Sequence, residues 1–452
     1  MPLEDLQRRF VDLRFGMFLH FGILTYTGAW AQPNLDITQF NPTQLDPNQW
    51  ADAAVSAGMK FGVLVTRHHD GFALWPSKVG NNFNVTATPW KGGQGDVVRE
   101  YVDAFRAHGL LPGLYYSVWD STQAVGGTST MDSTPVTPDQ LAYVKAQLTE
   151  ILTNYGEIPL LFFDGWSWKM GHRQVPYQEI RTLVKSLQPN CLMIDNSHLA
   201  NTWENDLANA EEAQGNTFIP ADNTQPAAQY QKINMTGGND WFWAPDVGNL
   251  MTVSTIVDTH LKVLEPRWAT FILNTPPNRD GLLPPEIVSR LGEVGAAWAP
   301  DPNRPPLPAQ PPQIDFPYDP VASTSTSGQS HFAIDGIDDF YTYTVWESSG
   351  ALPQSITIDI GQVQPDVSVV NYVPRYVAQM GPSTDGAITS YNVYVSTDNA
   401  TFTMVASGDW PATDQMKTAA FDPVAARYIR LEATAVNGTN AAATEIAVGA
   451  HR

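Results

Sequence analysis

One cysteine in 452 residues, Cys191, leaves no partner for an internal disulfide. Its surroundings, PNCLMIDN, read as a buried strand, which gives the thiol a structural role. Basic residues are scarce as well. There are 25 Lys and Arg against 46 Asp and Glu, a formal net charge of −21. Without a basic excess to neutralise phosphates, nucleic acid and anionic membranes are disfavoured partners, and a neutral substrate fits better. No apolar run approaches the roughly 20 residues needed to span a bilayer. The first residues, MPLEDLQRRF, contain no hydrophobic signal core. A G-x-S-x-G elbow is absent, which removes the usual serine hydrolase signature. KGGQGD at 91–96 lacks the Gly-Lys-Ser/Thr ending of a phosphate-binding loop and reads as a turn.

Aromatic residues are plentiful, with 14 Trp and 16 Tyr. Flat apolar rings with one polar tip suit sugar rings, although any single one of them is a core residue by default. The length implies two or three domains. Residues 1–298 alternate apolar runs with helix-spaced polar segments. The runs are FGMFLHFG, KFGVLVTRHHDGF, LLPGLYYSVWD, IPLLFFDGW, CLMIDNS and WATFILNT. Between them, VVREYVDAFRAHG and TPDQLAYVKAQLTEILTNYG carry helix start and stop signals. Repeated strand–helix units over about 300 residues predict an α/β fold of TIM-barrel type. Residues 299–320, rich in proline, predict a stiff extended linker. Residues 321–452 show short alternating strands separated by turn residues, the pattern of an all-β sandwich.

His20, His68, His69, Tyr116, Asp164 and Asn274 all follow an apolar run rather than precede it. In a barrel of this type that places them at the carboxy-terminal mouth, where active sites sit. Asp164, ending PLLFFD, is either a nucleophile or base at a strand end or a cap for the next helix. In TRHHDGF, residues 66–72, adjacent strand positions predict His68 and His69 on opposite faces, which disfavours a shared metal ion. Hydrogen bonding to substrate hydroxyls fits them better. If Asp164 attacks a glycoside, a second carboxyl about 5–5.5 Å away must act as acid and base. Glu204, Glu211 and Glu212 are the candidates, in a polar stretch that reads as a loop over the mouth.

FGMFLHFG, the stretch from FNPTQLDPNQW to ALWPS at residues 40–77, GLYYSVWD, LLFFDG and FILNTPPNRDGLLP together resemble the α-L-fucosidases of glycoside hydrolase family 29, in order over residues 8–298. The resemblance implies a retaining exo-glycosidase that needs no cofactor and acts on fucosylated oligosaccharides or glycoconjugates. It puts Asp164 on the family's nucleophile and His20, His68, His69 and Tyr116 on fucose-binding positions. Trp30 carries over, but the acidic residue many members have before it is Ala29 here, and Phe163 stands where many have Trp. By its distance from Asp164, Glu212 is the preferred acid/base, with Glu211 next. Trp241 and Trp243 of WFWAP fall where aromatics flank the sugar's methyl group. The carboxy-terminal stretch resembles a discoidin-like (F5/8 type C) module, which implies a sugar-binding or bracing role and a structural calcium. The accessory module and the abundance of Thr, Asn and Gln point to a secreted or periplasmic protein, with a cytoplasmic one the other reading. A fucose-binding lectin-like protein and a related exo-glycosidase such as an α-L-galactosidase remain alternatives, and the linkage is open.

Overall fold

Each apolar run becomes a strand that is buried but for Leu111 at the start of the third, because helices cover it outside and other strands' side chains fill the inside. A computed structural model describes residues 1–130, 134–196, 205–211, 219–234, 241–245, 248–337, 344–377 and 381–451. Its first sheet has eight strands: β1 (Phe15–Leu19), β2 (Phe61–Arg67), β3 (Leu111–Ser117), β4 (Leu160–Asp164), β5 (Leu192–Asp195), β6 (Ala208–Glu211), β7 (Ala227–Lys232) and β8 (Ala269–Asn274). Neighbours pair in parallel in the order β5-β4-β3-β2-β1-β8-β7-β6. The β1–β8 pairing closes the sheet into a barrel, and β5 and β6 face each other across its seam. Two of these strands were not expected. ANAE and AAQYQK are built from small and polar residues, so the stretch read as a loop around Glu211 contains strand β6 instead.

The helices follow their capping chemistry. Helix Pro138–Thr153 starts with a full capping box, in which the Thr137 side chain accepts from the Gln140 N–H and Gln140 reaches back. Helix Val97–Ala107 is capped by the Asp96 carboxylate on the Arg99 N–H. Among the described residues no helix is long and apolar enough to cross a membrane.

Two compact units divide the chain: Met1–Met170, Gln174–Asn196 and Asp206–Pro308 form one, and Gly171–Arg173, Ser197–Asn205 and Ala309–Arg452 the other. The proline-rich stretch is therefore shared out rather than free-standing. Its first part is fastened to the barrel, where Arg304 donates to the Val11 carbonyl and Trp268 Nε1 to that of Pro305. Phe316–Pro317 pairs with Glu445–Ala450 in the second unit. That unit is antiparallel throughout its seven-stranded sheet. Strands Gln354–Val373 and Lys417–Val436 pair across three register shifts. The irregularity bends the sheet, so Ile358 before it and Tyr372 after it share one core with Trp346 and Leu431.

Candidate active site

Asp164 is the last residue of β4, and 8% of its surface is exposed. Its Oδ2 accepts from the Tyr115 hydroxyl at 2.8 Å. Its Oδ1 accepts from the Gly165 N–H and from Trp168 Nε1, both at 2.6 Å. Three donors therefore complement a negative charge and fix its direction. The capping alternative for Asp164 is not realised. The next helix starts at Ser167, whose N–H is taken by Asp195 Oδ2 at 3.2 Å. Gly165 is required where it stands: its φ is +59°, and a Cβ would lie 2.7 Å from that of Trp119 and 3.0 Å from Ser117 Oγ.

His69 lies beside this carboxylate, with Nε2 3.9 Å from Asp164 Oδ2. Ser117 Oγ spends its proton on the Trp119 carbonyl at 2.7 Å, so it accepts from His69 Nδ1 at 2.7 Å. That assigns the tautomer and turns Nε2 toward Asp164. His68 does not point away from His69. The strand ends at Arg67, pleat alternation ends with it, and the two rings lie 4.0 Å apart. The His68 ring stacks on Tyr115, and among the described residues its Nδ1 has no hydrogen-bond partner. Burial first, then His69 and His20, holds His68 well below the ordinary range of histidine. Among the described residues no group of three or more His, Cys, Asp or Glu could hold a metal ion.

His20 completes the polar wall. Its Nδ1 donates to Asn274 Oδ1 at 2.8 Å, while Asn274 Nδ2 donates to the Trp241 carbonyl at 2.7 Å. The amide is thereby oriented, and His20 presents Nε2 as an acceptor. Burial pushes its pKa down to about 3, against the opposing bond to Asn274. The Trp241 ring lies 5.1 Å from His20, and Phe242 packs edge-on against both His20 and His68. Trp30 meets the rings of His69 and Trp119 at 5.4 and 5.8 Å.

Two expected residues are not brought to this cluster. Tyr116 faces the helix layer. Its hydroxyl donates to Gln147 at 3.1 Å, and the Arg67 guanidinium lies 4.2 Å from its ring centroid. In a pleated strand only one of two adjacent tyrosines points inward, and it is Tyr115. Trp243 is half-buried beside Arg279 rather than against His20. Glu204 and Glu212 lie outside the described residues. Glu211 ends β6, is 3% exposed, and accepts from Asn196 Nδ2 at 2.7 Å. Burial drives the Tyr115 hydroxyl well above its ordinary range, and Asp164 and Glu211 both add to the shift. Both carboxylates thus act on one phenol.

Below the mouth, Arg67 and Asp120 form a fully buried pair at 3.1 Å. Arg67 also donates to Tyr143, Gln147 and the Ser117 carbonyl, which pins the ends of β2 and β3. Tyr115, Ser117, Trp168 and Phe242 were not expected as site residues, whereas Asn274 was expected at the mouth. Asn274 alone had a signal, a polar residue ending an apolar strand. In the carboxy-terminal unit, Asp335 is taken up by the Ile337 N–H and the Thr344 hydroxyl, and Glu445 by the Gly336 N–H.

A family model described as alpha-L-fucosidase matches residues 36–300, and one described as F5/8 type C domain matches residues 320–446. Alpha-L-fucosidase 1 of Arabidopsis thaliana is 30% identical over 315 residues, covering 65% of this chain and 60% of that protein. A protein of Oryza sativa subsp. japonica is 32% identical over 299 residues, covering 61% of this chain and 55% of its own length. The chain thus spans under two thirds of these relatives. The α-L-fucosidase AlfC from Lactobacillus casei, solved in complex with its α-L-fucose product, is 27% identical with a TM-score of 0.54, covering 65% of this chain and 98% of that one. A glycoside hydrolase 29 family member from an unknown rumen bacterium aligns over 99% of this chain and 98% of its own, with a TM-score of 0.56 at 21% identity, a likeness of fold.

Proposed function

The chain belongs to the α-L-fucosidase family, and on that premise we propose that it is a retaining, exo-acting α-L-fucosidase cleaving terminal α-L-fucose from fucosylated oligosaccharides or glycoconjugates. The observation that carries the reading is Asp164, a strand-end carboxylate aimed by three donors and surrounded by His20, His68, His69 and aromatic rings.

Asp164 attacks the anomeric carbon while Glu211 gives its proton to the leaving oxygen. A C–O bond to Asp164 forms as the glycosidic C–O bond breaks. Glu211, now ionised, takes a proton from water, which attacks the same carbon and frees Asp164. Two displacements retain configuration. Acid and nucleophile both come from the chain, so no cofactor enters. The neutral imidazole of His20 accepts from a sugar hydroxyl, which selects sugars that have one there. Trp241 and Phe242 offer apolar surface to the rest of the ring.

Glu211 is assigned as the acid/base because its buried carboxyl is oriented by Asn196. The test is hydrolysis of p-nitrophenyl α-L-fucoside by the wild type and by Asp164→Asn. Turnover that the substitution abolishes supports the enzyme. Fucose binding without turnover by the wild type supports a lectin and overturns it.

A further inference from the structure

We propose that Tyr230 is a positioning residue for the acid/base, holding Glu211 in place across the barrel's open seam. The inference rests on reading Glu211 as that acid/base. Strand β6 pairs with β7 on one side, and among the described residues no backbone ladder joins it to β5 on the other. An edge strand held on one side only is a poor mount for a proton donor, since a displacement near 1 Å costs about 100-fold in rate.

One backbone bond and a set of side-chain bonds close the seam instead. At its lower end the Asp206 N–H donates to the Met193 carbonyl at 3.0 Å, and the Met193 N–H to Asp206 Oδ2 at 2.9 Å. At the mouth Asn209 Nδ2 donates to the Asp195 carbonyl at 3.1 Å, and Asn196 Nδ2 to Glu211 Oε2 at 2.7 Å. These bonds orient both amides, so both Oδ1 atoms turn toward one group, the Tyr230 hydroxyl, which lies 2.9 Å from that of Asn209 and closer to that of Asn196. Tyr230 pairs in register with Glu211 on the adjacent strand, and its ring is wedged edge-on against Phe162 in the barrel interior. One proton, shared between two buried amides, thus sets the angle at which Asn196 holds the carboxylate. Without it, both buried amide oxygens lose the Tyr230 hydroxyl, and Asn196 loses the bond that sets its angle toward Glu211.

The test is a series of aryl α-L-fucosides running from 2,4-dinitrophenol to phenol as leaving group. A good leaving group departs without a proton and a poor one does not, so a misplaced acid steepens the dependence on leaving-group pKa. General acid catalysis contributes about 10²–10⁴-fold, so Tyr230→Phe should lower kcat/KM on the phenyl fucoside by about tenfold or more and on the dinitrophenyl fucoside by less than about twofold. The alkaline limb of the pH profile should move upward, because the ionised form of Glu211 loses the bond from Asn196. An equal loss across the series, or none, overturns the proposal. If Tyr230→Phe does not fold, Asn196→Ser reads the same contact from its other end. Glu211→Gln separates the two ideas. If it steepens the series and Tyr230→Phe does not, Glu211 stands and Tyr230 falls; if its slope stays that of the wild type, both fall.

Discussion

The Tyr115 hydroxyl donates to Oδ2 of Asp164 across 2.8 Å, although the two residues are 49 positions apart in the chain. Strands β3 and β4 are neighbours, with Ser117 opposite Asp164, so the contact follows from sheet register. A hydrogen bond to a charged group is worth about 1.5–3 kcal/mol, so Tyr115→Phe should lower kcat/KM by roughly 10–100-fold. Tyr116→Phe removes a bond to Gln147 in the helix layer. It should cost about 1 kcal/mol of stability and leave kcat/KM within about twofold. Kinetics on the aryl fucoside and thermal melts of the two variants decide this. Reversed effects would return Tyr116 to the site.

The same pair shows why the site was only partly legible in the sequence. LYYS offers two tyrosines of opposite pleat parity, and parity is lost where β2 and β3 slip register between Val65 and Arg67. His68 and His69 mislead for the converse reason: they follow the last strand residue, where alternation no longer applies. Asp164, His20 and Asn274 were legible because each is a polar residue ending an apolar run. Strands β6 and β7 carry no such run. ANAE and AAQYQK become strands because barrel closure requires partners for β8, not through their own propensity.

Asn274 fixes the tautomer of His20, and the consequence is open to measurement. Asn274→Asp places a carboxylate beside Nδ1 and raises the His20 pKa from about 3. Once protonated, His20 can no longer accept from the sugar. KM of this variant should rise, by about tenfold or more, as pH falls below the ordinary histidine range, with kcat changing less. The wild type should show no such rise. A KM equally flat in both would remove His20 from substrate binding.

Asp70 lies in TRHHDGF, after His68 and His69, and burial pushes its pKa up to about 7 from 3.8. Between those values the native state keeps a proton that the unfolded chain has released. Stability is therefore lost as pH rises through this window. Asp70→Asn keeps the acceptor for the Phe72 N–H and removes the ionisation. It should melt above the wild type at about pH 8 and with it at about pH 4, by about 2–4 °C for each kcal/mol. Equal melting curves at both pH values would contradict the burial argument.

The central claim is that Asp164 forms a covalent bond to the sugar. An activated 2-deoxy-2-fluoro-α-L-fucoside slows the second displacement, so the intermediate can be trapped and mapped by peptide mass spectrometry. The account predicts one equivalent of fluorofucosyl label on the peptide carrying Asp164, and none on Asp164→Asn. Label on another residue, or turnover with inversion and no label at all, would contradict it.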